Sequence, residues 1–306
     1  MKKLAVSVIL LISSVAVFAQ KATLALNLTK GSTYHMVTNT NMAMTQVMNG
    51  QLQNINTSLM AKMAFKVTNV MDTSYAIQVT YERIGMQMDL PNGVASFESD
   101  KNNPNDILST VMGNMVDKPF SIVLSKTGKL LSIKGTENLS SDLFAGLPQL
   151  TALQKGAISN QVMQSFGPEA FKSNIEIGTA VFPDVKVGVN DTWLVNSAVK
   201  SDMPTKMATT FTLNEITADA YMVHGESVIS PQNAEEYTQV NGMPTKYNVN
   251  GTSQYDLKID KESGWISEAR INQVIKGSFE IKDNPQMPGG MIIPMTITDD
   301  QTISSN

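Results

Sequence analysis

The chain has 306 residues, 42% hydrophobic and 16% charged, with 23 Lys and Arg against 27 Asp and Glu and a formal charge of −4. It is too apolar and too weakly charged to stay disordered, and its mild acidity argues against a nucleic-acid partner, which selects a basic excess. The absence of cysteine excludes disulfides, cysteine-held zinc or iron–sulfur clusters and thiol nucleophiles.

Met1-Lys2-Lys3 is a short basic start. Leu4 to Phe18 follows as an apolar run broken by Ser7, Ser13 and Ser14, and Val17-Phe18-Ala19 sets small residues where a signal peptidase reads. The run is shorter than the roughly 18–20 residues a membrane span needs. Residues 1–19 are therefore read as a signal peptide. The mature chain from 20 to 306 is expected to be exported, periplasmic or extracellular in a bacterium, with no membrane span after cleavage.

Strand signals follow as alternating apolar and polar residues. Phe65 and Val67 alternate with Ala64, Lys66 and Thr68, Asp72-Thr73-Ser74 reads as a turn, and Ile77, Val79 and Tyr81 resume. Past Tyr81 the phase flips to Ile84, Met86, Met88 and Leu90, which predicts a bulge or bend near Arg83. Pro91-Asn92-Gly93 closes the run as a turn. A first helix is expected over about 105–116, with Asn103 as cap, Pro104 at its first position and Ile107, Leu108, Val111, Met112 and Met115 on one face. A second helical stretch over about 139–175 is broken at Gly146-Leu147-Pro148 and at Gly167-Pro168.

The two ends of the chain resemble one another. Phe120 to Leu130 and Tyr255 to Ile266 each carry three alternating apolar residues, a polar turn with Lys and Gly, and an apolar restart. Phe65 to Val79 parallels Phe211 to Gly225, and Lys30-Gly31 before Thr33-Tyr34 parallels Val187-Gly188 before Thr192-Trp193. Three matches in the same order predict an internal duplication. The fold class expected is mainly β (α+β): two related antiparallel β-sheet halves, over 20–135 and 181–306, joined by a helical connector over 136–180. The halves could form one curved sheet, a half-barrel or a two-lobed body, with the amphipathic helices of the middle covering one face.

The hairpin Lys118-Pro119-Phe120 to Gly128, and the segment Pro183 to Gly188 leading to Asp191-Thr192-Trp193, resemble motifs of a family of uncharacterised secreted proteins from Bacteroidetes-type bacteria. Val189-Asn190 lengthens the second motif relative to the family's Gly-Asp-Thr-Trp form. The resemblance covers most of the mature chain and implies no catalytic residue. A curved antiparallel sheet with helical covers is also similar, as fold analogy alone, to periplasmic lipoprotein carriers.

No nucleophile elbow, phosphate loop, zinc-protease helix or calcium loop is present. His35 and His224 stand apart and are read as surface or strand-face residues. The adjacent acids Asp299-Asp300 and Glu235-Glu236 point to opposite faces of a strand and are expected to be solvated. Methionine is the compositional outlier, at 20 residues. Met42 and Met44, like Met86 and Met88, share one strand face, so the methionines either fill an irregular core, line a deformable apolar cleft, or bind a soft metal, which the scarcity of histidine disfavours. The candidate ligand-lining residues are Met42, Met44, Ile84, Met86, Met88, Met112 and Met115, with no catalytic residue, metal or cofactor. The leading expectation is an exported, non-enzymatic protein that holds a lipid or hydrophobic peptide against a curved sheet. The alternatives are an envelope-associated protein that binds a protein partner, and a hydrolase of envelope material using carboxylates distant in sequence.

Overall fold

A computed structural model describes residues 21–48, 50–90, 93–100, 106–199, 203–233, 235–240, 242–285 and 287–305. The signal-peptide reading of 1–19, the cap and proline expected at Asn103 and Pro104, and the first two residues of the Pro91-Asn92-Gly93 turn lie outside these residues. Among the described residues no helix is long and apolar enough to cross a membrane.

One antiparallel sheet of thirteen strands contains β1 (Thr33–Met48), β2 (Gln51–Val70), β3 (Ser74–Leu90), β4 (Gly93–Glu98), β5 (Phe120–Ser125), β6 (Leu130–Lys134), β7 (Thr192–Val199), β8 (Thr205–Ile216), β9 (Ala220–Pro231), β10 (Thr238–Val240), β11 (Met243–Asp260), β12 (Ile266–Ile281) and β13 (Met291–Ser304). Its order is β6-β5-β3-β2-β1-β13-β12-β11-β9-β8-β7, with β4 beside β3 and β10 beside β11. The sheet is continuous and does not close into a barrel, so the two-lobed body is ruled out. The seam between the chain's two ends is the β1–β13 pair, where Val37 opposes Ser304 and Gln46 opposes Met295. Trp265 seals this seam. Its indole nitrogen donates to the His35 carbonyl at 3.0 Å, and its ring lies 5.4 Å from Tyr34 and 5.1 Å from Phe65.

The phase flip after Tyr81 is a bulge. Met63 opposes Tyr81 and Lys62 opposes Arg83, so Glu82 is the extra residue. Without it Ile84 and Met86 would turn outward; with it both are buried. A second irregularity, after Val67, skips Thr68: Val67 opposes Ile77 and Asn69 opposes Ala76. The same step recurs between β8 and β9, where Leu213 opposes Val223 and Glu215 opposes Met222. The hairpin β5–β6 shifts register as Leu124 meets Leu130, and β11–β12 shifts as Ile259 meets Ile266. Tyr34 opposes Phe65 as Trp193 opposes Phe211.

The helices are α1 (Ile107–Gly113), α2 (Glu137–Ser140), α3 (Ala152–Phe166) and α4 (Pro168–Thr179). α1 begins two residues later than the sequence suggests, because Asp106 caps it: the carboxylate accepts from the Ser109 amide at 3.1 Å. Thr151 and Gln154 form a capping box at the start of α3, and Pro168 opens α4. α4 lies across the apolar face of the sheet. Phe171 meets Phe120 edge-on at 4.9 Å, and a side chain at Gly178 would touch Ile303 at 3.0 Å. Just beyond α4, the Trp193 indole donates to the Val181 carbonyl at 2.8 Å. The segment 22–28 runs over the other open part of this face. Leu24, Leu26 and Leu28 are buried, the Leu26 amide bonds Lys126, the Asn27 amide bonds Ser263, and the Tyr75 hydroxyl donates to Leu26.

Both hairpin turns are pressed by this covering layer. Gly128 has φ +80°, and a Cβ there would sit 1.8 Å from the Thr179 carbonyl oxygen; Gly264 has φ +67°, and a Cβ would sit 2.1 Å from that of Ala25. Gly50, at φ +74°, has no neighbour near a would-be Cβ. Urea denaturation should therefore show Gly128→Ala and Gly264→Ala each losing more than about 2 kcal/mol, against about 1 kcal/mol for Gly50→Ala. Equal losses at all three would contradict the packing of 22–28 and α4 on the turns.

Candidate ligand-binding face

Cross-strand pairing fixes which side chains face inward. On β1 and β2 these are Met36 opposite Met63, Thr38 opposite Ala61, Thr40 opposite Leu59, Met42 opposite Thr57 and Met44 opposite Ile55. Met36 and Met63 are buried beneath the helices, whereas Thr40, Met42, Met44, Ile55 and Leu59 are half-buried. Burial on this face is thus lowest from Thr40 to Met44 and returns one step farther on, at Gln46 and Met295. Where the helices still cover it, a cavity of about 30 Å³ lies among Thr38, Leu59, Tyr81, Phe166, Phe171 and Ile175, room for roughly two water molecules. The Tyr81 hydroxyl, whose titration burial pushes upward, donates to the Phe166 carbonyl at 3.1 Å and ties the end of α3 to the sheet. Farther along α3 the Gln161 amide meets the Met88 sulfur at 3.7 Å.

A polar row crosses the apolar face at the level of Met42. Met42 opposes Asp299, Asp299 opposes Gln273, Gln273 opposes Ser253, Ser253 opposes Ser227, and Ser227 opposes Thr209. The Gln273 amide donates to Ser253 at 2.9 Å, and the Thr209 and Ser227 hydroxyls are 2.5 Å apart. Burial pushes the titration of the Tyr255 phenol up, and the hydroxyls of Ser227, Ser253 and Thr209 oppose that shift. Asp299 is the acidic or basic side chain at the inward register positions of the described strands; the others there are neutral. Its Oδ1 is buried and bonds no described residue. Burial first, and then the neighbouring Asp300 charge, push its carboxyl up to about 6.

Glu235 and Glu236 are exposed, as expected, but lie in a loop before β10 rather than on a strand. Asp299 and Asp300 do face opposite sides of β13, where Asp300 accepts from Arg270 at 2.8 Å and Asp299 departs from the expectation because its register position is inward. The histidines lie on the outer face. His35 is 3.3 Å from Glu82, and His224 Nδ1 is 2.8 Å from Asp256. No group of acids and histidines that could hold a metal occurs among the described residues. Of the methionine-based candidates, Ile84, Met86, Met112 and Met115 are buried in the core, while Met42, Met44 and Met88 are only partly buried on the inward face. Thr40, Ile55, Leu59 and Ile297 belong with these three but were not singled out in the sequence, and Asp299 was read there only as half of a solvated pair. The one signal for Asp299 was its phase, since Ile293, Met295 and Ile297 place it on the buried side of β13.

The chain belongs to a family of unknown function, DUF6263, whose model matches residues 72–266. No curated protein matches the sequence. Among solved structures, one titled for lipid–protein interactions in lipovitellin aligns over 92% of this chain at 9% identity, with a TM-score of 0.49. This chain covers 25% of the lipovitellin chain. DynF from the dynemicin biosynthesis pathway of Micromonospora chersina aligns over 94% of this chain and 86% of its own, at 6% identity and a TM-score of 0.22. An outer membrane channel from Pseudomonas putida F1 aligns over 91% and 97%, at 5% identity and a TM-score of 0.22.

The titration of Asp299 sets a sign for stability against pH. Its carboxyl is raised from 3.8 to about 6 on folding, so the protonated form favours the folded state. This group's contribution is complete below pH 3.8 and is lost as pH rises through about 6. Asp299→Asn should therefore stabilise the protein by about 2–3 kcal/mol at pH 7.5 and by close to nothing at pH 3.8, read as the difference between urea curves of the two proteins. A variant that is destabilised at both pH values would contradict the burial of an unpartnered carboxylate.

Proposed function

We propose that this protein is an exported, non-enzymatic binding protein of the bacterial envelope that holds an apolar ligand on its inward sheet face, beneath α3 and α4. In this reading the chain comprises two related β halves, 20–135 and 181–306, and a helical connector, 136–180, that supplies the cover. The recurrent register shifts after Val67 and Leu213, and at Leu124 and Ile259, support the relatedness of the halves. The observation that carries the binding role is the incomplete cover over Met42, Met44, Met88, Ile55, Leu59 and Ile297, which leaves flexible apolar side chains half-buried on an inward face. Thioether side chains repack around varied apolar partners at little cost, as such a site requires. The cover itself is held to this part of the sheet by few polar contacts, chiefly Tyr81 to Phe166 and Gln161 to Met88. Moving it would enlarge the small cavity already present between helices and sheet.

A second reading, an envelope protein that docks a protein partner, draws on the edge strand β7. Leu194 there and Val228 on nearby β9 are exposed beside a depression lined by Asn196, Ala198, Lys206 and Ser230.

The binding role is tested with the uncharged probe N-phenyl-1-naphthylamine. Its fluorescence should rise and shift to the blue with the mature protein. Because the chain has no cysteine, Gln161→Cys with Met88→Cys can be bridged cleanly by a short bismaleimide. Bridging should weaken dye binding at least tenfold by pinning the cover. Unchanged binding after bridging, or no binding by the unbridged protein, would remove the proposal.

A further inference from the structure

We infer that the inward carboxylate of Asp299 receives a cationic head group, so that this face takes an amphiphile with one alkyl chain and an ammonium end. This rests on the binding role proposed above and names its ligand class. The first support is charge. Asp299 faces inward among neutral side chains: Met42 across on β1, Gln273 across on β12, and Ile297 and Gln301 in the same phase of its own strand. A carboxylate taken out of water without a partner is costly, and a cation brought to it offsets that cost.

The second support is the unsatisfied acceptor itself. Oδ1 accepts no hydrogen bond from a described residue, and the neighbouring amide of Gln273 donates to Ser253. An ammonium, with three N–H donors, matches this demand. The third is the shape of the surroundings. Met42 flanks the carboxylate on the next strand, and Met44, Ile55 and Ile297 continue the apolar face one register step farther on. Head and chain would therefore lie on the same inward surface.

The charges near this face leave the assignment intact. Asp300, on the outer side, is held by Arg270 and acts on Asp299 only to raise its titration. The helices above the sheet carry Lys155 on α3 and Glu169, Lys172 and Glu176 on α4. Lys155 sits over the Phe144 ring at 5.7 Å. Burial and Asp300 are the causes of the shift in Asp299.

The test displaces N-phenyl-1-naphthylamine from the mature protein with dodecylamine, dodecanol or dodecanoate, each below its aggregation threshold. At pH 7.5 dodecylamine should bind at least about tenfold more tightly than dodecanol, and dodecanoate more weakly than either. In Asp299→Asn the advantage of the amine over dodecanol should shrink to within about twofold. Wild-type protein at pH 4.5 should lose the advantage likewise, which provides a check independent of the variant. Equal binding of amine and alcohol at pH 7.5, or an amine preference that survives Asp299→Asn, would overturn this inference and leave the apolar binding role standing. Failure of all three compounds to displace the dye, or of the dye to bind, would overturn both.

Discussion

An open sheet of thirteen strands with one apolar face must hide that face, because antiparallel pairing satisfies the backbone but leaves the side chains of one side in water. Here the covering is done by α4 and by the extended segment 22–28. The two are fixed by contacts that tolerate no extra atom, since α4 ends against Gly128 and residues 25–26 press on Gly264. Phe171 on Phe120, Val181 on Trp193 and Tyr75 on Leu26 complete the cover. Beneath it the inward side chains Thr40, Met42, Met44, Ile55, Leu59, Ile297 and Asp299 are only half-buried.

The seam at β1–β13 explains how two meanders become one surface. In each, the strand after the hairpin turn restarts one residue out of step, and in each an aromatic side chain at the start of the first strand meets a phenylalanine on the next. Gly225 shows how the second meander accommodates its rings: a Cβ there would lie 2.5 Å from the Phe211 ring, which packs edge-on with Tyr255 at 5.6 Å. The corresponding position of the first meander holds Val79, opposite Phe65 and Phe120.

Much of this was legible in the chain. Alternation located part of the strands, among them β3 and β5, the phase change after Tyr81 located a bulge, and Gly-Pro breaks divided the helices, because each is a local signal with one dominant cause. What was not legible depends on distant partners. Ile84, Met86, Met112 and Met115 share their chemistry with Met42 and Met44, yet the first four are buried while the last two are half-exposed, a difference set by where α3 and α4 come to rest. Asp299 beside Asp300 looked like a solvated pair because two adjacent charges outweighed the phase that Ile293, Met295 and Ile297 set along β13. Only the register with β1 and β12, whose residues are far away in sequence, brings it into a row with Gln273, Ser253, Ser227 and Thr209.

That row gives the inward face a polar line within an apolar surface, next to the half-buried side chains on which the proposed binding role rests. Native mass spectrometry of the protein exported by a bacterial host and purified without detergent tests this account most directly. The account predicts a population carrying one non-covalent small amphiphile, stripped by mild collisional activation. A single bare mass, unchanged after incubation with long-chain amphiphiles, would contradict it.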